Sequence, residues 1–229
     1  MGTSKGYIPP TTIPWKNAKR AVTAFRNEPL SSDRMQNAIG HYANARAGSG
    51  AGGRSAARAV NGISGILGAF KAGSVNSYLV EINRLDLVGK SSKEIFVALL
   101  YQFTNNGSSP VDRVLLFSIT NVLDTLGIVT DEDFANISPE EFLVDFLAEF
   151  VCNDFDRCFE EQLRKDVLPS EYDSTQANIH GYIRNTIFSM RDELKAQELD
   201  FSKLEDAKLV RSIVDKAYRM FSDLCAEEG

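Results

Sequence analysis

Histidine, cysteine and tryptophan are scarce in this chain, and it has neither strand patterning nor a long apolar run. Three cysteines, Cys152, Cys158 and Cys225, are odd in number and lack metal-ligand spacing, so they offer no disulfide framework and suit a reducing cytosol. The only two histidines, His41 and His180, stand in no pattern of acids or cysteines that reads as a triad or zinc site, and both are expected to be structural. No apolar stretch approaches the roughly 20 residues of a membrane helix, and the first residues carry no apolar core of a secretory signal. A cytoplasmic protein without membrane contact, metal or cofactor is therefore expected. No segment alternates with period two for the length of a strand, and no repeat of fixed period is present.

The chain does have ordinary globular composition, 43% hydrophobic and 24% charged over 229 residues, enough for one large core or two small ones. Its net charge of −6 is unevenly placed. Residues 1–73 hold ten Lys or Arg against Glu28 and Asp33, a balance of +8 that leaves −14 for the remainder. The basic front admits nucleic acid, nucleotide phosphates or an acidic protein surface as partner, or simple attraction between the two halves.

The first fifteen residues contain three prolines, two glycines and four Ser or Thr residues. Proline lacks the amide donor and glycine gains little from a helix, so this stretch reads as an extended tail. Gly2 is small enough for Met1 to be removed, leaving its free amine at the tip. From Trp15 onward the apolar residues follow helical spacing: Trp15, Ala18, Val22 and Phe25, then Met35, Ile39 and Tyr42, then Ala57, Val60, Ile63, Leu67 and Phe70. Gly62, Gly65 and Gly68 in the third set imply close approach of another helix. Ser91 and Glu94 form a capping box, Gly127 sits where a helix ends, and Ser138-Pro139-Glu140-Glu141 opens a central helix carrying Phe142, Phe146, Phe150, Phe155 and Phe159. Leu168-Pro169-Ser170 is read as its end, with further helices from Ser174 and from Ser202. The expected fold is all-α with about eight helices and no sheet. Its parts are an extended Gly/Pro-rich tail (1–14), a basic helical segment (15–46), a glycine-rich hinge (47–53) and an acidic helical body (54–229).

Gly48-Ser49-Gly50-Ala51-Gly52-Gly53-Arg54-Ser55 imitates a phosphate-binding loop, with Arg54 in place of the lysine. That loop works by leaving a buried strand, and the residues before it read as helix. A helix start that attracts an anion through Arg54, Ser55 and Arg58 is the lesser possibility that survives beside a plain hinge. Asp131-Glu132-Asp133 fails the calcium-loop pattern and belongs in the first turn of a short helix. Asp154, Asp156, Glu160 and Glu161 read as a solvated helix face. No nucleophile, base and orienting group assemble into a catalytic set, so an enzyme is not expected.

The opening Met1-Gly2-Thr3-Ser4 with Tyr7, the prolines and Trp15, followed by Gly50-Ala51-Gly52-Gly53-Arg54-Ser55-Ala56-Ala57-Arg58 and, further on, Cys152-Asn153-Asp154, resembles the QatB component of the Qat anti-phage defence systems. The resemblance is clearest over the first seventy residues. It implies companions encoded alongside: an ATPase (QatA), a relative of 7-cyano-7-deazaguanine synthase (QatC) and a TatD-like nuclease (QatD). It further implies that QatC joins a deazaguanine to the amine of Gly2, reading Thr3, Ser4, Lys5 and Gly6 in its channel while Tyr7 and Trp15 anchor the tail. The chain would then be a non-catalytic substrate and scaffold. The alternative in a different class is a helical nucleic-acid or nucleotide sensor using the basic front, marked by strong salt dependence. Myristoylation of Gly2 is disfavoured because Gly6 stands where that signal needs Ser or Thr.

Overall fold

The computed structural model describes residues 10–47, 51–128, 130–196 and 207–226. Among these residues there are ten α-helices, two short 3₁₀ turns and no strand. The helices are α1 (Ile13–Asn27), α2 (Ser32–Ala47), α3 (Ala51–Lys71), α4 (Val75–Glu81), α5 (Ser92–Phe103), α6 (Pro110–Thr125), α7 (Asp131–Asn136), α8 (Pro139–Arg164), α9 (Pro169–Ala196) and α10 (Ala207–Ala226). The all-α expectation is met, with ten α-helices among the described residues against about eight expected. The chain divides into two compact units, one formed by 1–50, 151–191 and 215–229 and the other by 51–150 and 192–214.

In the first unit α1 packs on α2. The α1 stripe foreseen from spacing, Trp15, Ala18, Val22 and Phe25, is buried throughout. It shares a core with Ile39 and Tyr42 of α2, Phe155 and Phe159 of α8, Ile179, Ile183 and Ile187 of α9, and Ala217, Tyr218 and Phe221 of α10. Each such large apolar side chain contributes about 1.5–3 kcal/mol on leaving water. Pro169 opens α9 instead of ending α8: a first-turn N–H has no helical acceptor, so proline costs nothing there and its fixed φ suits the helix. The predicted start at Ser202 lies outside the described residues.

The second unit is built on α3. An added Cβ at Gly62 would lie 2.4 Å from the Phe103 ring of α5, and one at Gly65 would lie 2.7 Å from the Tyr78 hydroxyl of α4. Two of the three glycines therefore mark real close approaches, while Gly68 faces open space. Phe134 of α7 stacks between Phe70 and Phe96, with both centroid distances 5.0 Å. Chain direction is set by caps: Ser91 with Glu94, Ser109 with Asp112 and Thr130 with Asp133 all close reciprocal capping boxes. The acids at 131–133 thus begin a short helix, as expected. α2 runs to Ala47 and α3 begins at Ala51, three residues before the expected start, while Gly48, Ser49 and Gly50 lie outside the described residues.

Candidate functional site

The tail residues singled out from the sequence, Gly2, Thr3, Ser4, Lys5, Gly6 and Tyr7, lie outside the described residues. The structure describes the base from which they depart. Pro10, Thr11, Thr12 and Ile13 are exposed, and Thr12 adopts extended backbone (φ −67°, ψ 161°) before Pro14 fixes the first turn of α1. At the next residue the chain is locked, because Trp15 is only 2% exposed. Its indole lies 6.4 Å from the Tyr42 ring in an edge arrangement and 6.3 Å from Phe159, and the Arg46 guanidinium sits 5.9 Å over it. Trp15 is thereby the buried fastening of the tail to its own domain; it presents no surface for another protein to grip.

Beneath the indole is a buried charge cluster. Asp154 on α8 has no solvent exposure. Arg46 donates through Nε and Nη2 to its two oxygens, Tyr42 donates its hydroxyl at 2.6 Å, and Arg157 donates through Nε at 3.0 Å and Nη2 at 2.6 Å. Burial pushes the Asp154 carboxyl pKa up, but the Arg46 and Arg157 charges outweigh it and hold the group below its ordinary value. Burial, then the Asp154 charge, raises the Tyr42 phenol, and the same two causes push the Cys158 thiol up to about 12. Cys158 therefore stays a thiol at neutral pH and is a packing residue, not a nucleophile.

This overturns the reading of Asp154 as part of a solvated face. Its partner Arg46 is 108 residues away, beyond any local pattern. A signal was nonetheless present, since Val151, Phe155 and Cys158 surround Asp154 at helical spacing and an acid inside an apolar stripe is buried with it. Asp156, two residues on, points elsewhere: it accepts from Gln176 at 2.6 Å and meets His180 Nε2 at 2.9 Å. His180 thus has an acidic partner on the preceding helix that sequence spacing did not reveal.

The candidate anion site at the start of α3 is partly committed to the fold. Arg58 donates Nε to the Phe103 carbonyl and Nη2 to Asp112, both at 3.1 Å. Burial pushes the Asp112 carboxyl up, yet hydrogen bonds from Ser109 and Asn105, with the Arg58 charge, leave it below its usual value. Arg54 is exposed and Ser55 half-buried. The segment before the glycine run is the helix α2, so the strand that a phosphate-binding loop requires is not there. No described helix is long and apolar enough to cross a membrane.

Comparison with protein families gives a match to QatB, the Qat anti-phage system associated protein, over residues 44–221. The chain belongs to the QatB family. The match takes in α3 to α9 whole and most of α10, together with the Arg46–Asp154 pair. In this QatB-family chain the matched region therefore reaches well past the first seventy residues that carry the resemblance in sequence, and it begins after the tail and α1. Neither a curated protein nor a solved structure matches the chain. Family membership assigns the chain a part in anti-phage defence.

Proposed function

We propose that this QatB-family chain works in defence as the protein substrate and scaffold of a QatC-type enzyme, which attaches a deazaguanine to the amine of Gly2. The observation that carries the reading is membership of a defence family in a chain whose Gly/Pro-rich tail springs from a buried anchor: Trp15 and the Arg46–Asp154 cluster hold the chain at the start of α1, while Pro10 to Ile13 lie in solvent. An N-terminal amine has a pKa of about 7.7–8.0 against about 10.4 for lysine, so an appreciable fraction is unprotonated near neutral pH. If the partner activates a deazaguanine carboxylate as its adenylate, the Gly2 nitrogen attacks the carbonyl carbon. A C–N bond then forms as the C–O bond to AMP breaks, and the amine proton passes to solvent. This chain supplies the nucleophile and needs no catalytic base of its own. Thr3, Ser4, Lys5 and Gly6 form the segment that the enzyme reads, and the ATPase and nuclease of the system are further partners in the same reading.

A nucleic-acid or nucleotide sensor using the basic front is the weaker reading, because Arg34, Arg46 and Arg58 are already paired with Glu28, Asp154 and Asp112. The deciding experiment is the intact mass of the protein produced with and without a QatC-type partner. A discrete mass gain that needs the partner, and is lost with defence in Gly2→Pro while the helical circular dichroism signal is kept, is the expected result. If Gly2→Pro still gains the same mass and still protects cells, the tail is not the acceptor.

A further inference from the structure

Helix α1 has two faces of opposite character. Its buried stripe is Trp15, Ala18, Val22 and Phe25. On the other side Ile13, Lys16, Arg20 and Asn27 fall within about 60° of one another at 3.6 residues per turn, and all four are exposed. The flanks of α1 are engaged inside the unit: Gln162 of α8 donates to the Lys19 carbonyl at 2.8 Å and to the Thr23 hydroxyl at 2.7 Å, and Arg34 of α2 donates to the Ala24 carbonyl at 3.4 Å. The outer face is left to solvent. Its charge has one sign, since α1 holds Lys16, Lys19, Arg20 and Arg26 and no acid. Arg26 donates to the Gln162 carbonyl and Arg34 is paired with Glu28, whereas Lys16 and Arg20 make no ion pair among the described residues. Ile13 is 74% exposed and lies one helical turn from Lys16. An apolar side chain beside two unpaired cations suits an acidic protein surface, because the apolar group offers area to bury while the charges steer the encounter and fix its register. Nucleic acid fits this face less well: two cations neutralise two phosphates, where strong sequence-independent binding draws on about six to ten. Position then selects the partner. The tail joins the folded unit at Ile13, and Gly2 precedes that residue by eleven positions, a span of at most about 40 Å when fully extended. A protein seated on α1 with its reactive centre inside that radius meets the Gly2 amine at the effective concentration of a short tether.

We propose that the outer face of α1, formed by Ile13, Lys16 and Arg20, is the docking surface for the enzyme that modifies the tail, which meets it with an acidic patch. That partner rests on the Gly2 reading, whereas the face is a property of α1 itself. The test is surface plasmon resonance of the full chain against the purified QatC-type enzyme, beside intact-mass kinetics of the modification. The double reversal Lys16→Glu with Arg20→Glu should slow association about tenfold or more at low salt and flatten its salt dependence, with melting unchanged. Lys16→Arg with Arg20→Lys, which keeps both charges, should bind as the parent does. In the modification assay the reversed variant should show a raised KM and an unchanged kcat, because docking acts on capture and not on the chemistry at Gly2. Gly2→Pro should bind normally and gain no mass. If the reversed variant binds and is modified like the parent, the docking face is wrong while Gly2 remains the acceptor. If Gly2→Pro still gains the mass and charge reversal still weakens binding, the acceptor is wrong and the docking face stands. Failure of the parent to bind the enzyme overturns the proposal. So does tighter binding to a DNA or RNA oligonucleotide than to the enzyme, lost on charge reversal.

Discussion

Replacing Asp154 by Asn tests whether the buried cluster holds the first unit together. The substitution keeps the volume but removes the carboxylate that Arg46 and Arg157 share, and the two guanidinium side chains are just 5% and 12% exposed. Removing one partner from a buried ionic group costs about 3–5 kcal/mol, because the opposite charge remains buried and uncompensated. For a chain of this size that corresponds to a fall of about 6–20 °C in melting temperature. Urea unfolding followed by tryptophan emission is the suitable assay, since the chain has one tryptophan and it lies in this cluster. The penalty should also depend on pH. The Asp154 pKa is lowered on folding, so its contribution is fully present above the unfolded carboxylate value of about 3.9 and is lost as pH falls through the folded one. The gap between the parent and Asp154→Asn should therefore be constant near neutrality and close in acid. A penalty under about 1 kcal/mol at pH 7, where a loss several times larger follows from the burial, would refute the reasoning. So would a penalty that does not change with acidification.

Gly62→Ala should destabilise by about 1–3 kcal/mol, because its methyl would strike the Phe103 ring; Gly68→Ala, facing open space, should instead stabilise by about 0.5–1 kcal/mol. Paired denaturant curves of the two variants check both signs. Trp15→Ala should cost about 3–5 kcal/mol, measured by circular dichroism, and Trp15→Phe clearly less.

Helix was legible wherever apolar residues kept one period long enough. The stripe of α1, the Ser91–Glu94 box and the close approaches at Gly62 and Gly65 all follow from local chemistry. Elements failed where one residue admits two local readings: Pro169 can end one helix or begin the next, and only packing decides. The base of the tail was half visible. Trp15 fell on a helical stripe, which places it in the core, but its neighbours Tyr42 and Phe159, the Tyr218 ring beyond them and the ionic pair Arg46–Asp154 join positions far apart in sequence. Buried charge pairing is a tertiary fact; a sequence shows the acid in the stripe and not the arginine that answers it.

The order in which the first unit is threaded has a consequence for synthesis. Its parts come from 1–50, 151–191 and 215–229, while most of the second unit is one uninterrupted stretch, 51–150. On the ribosome the contiguous unit can close as it emerges. Trp15, translated near the start, must wait for Phe155 and Phe159 and then for Tyr218 and Phe221, so its burial is among the last events of folding and carries a high loop-closure cost. A chain cut short by arrested translation would carry an intact tail without its fastening. The fastened tail is thus a mark of a completed polypeptide, and an enzyme that requires the tail to be held at Trp15 would act on finished chains in preference to nascent ones.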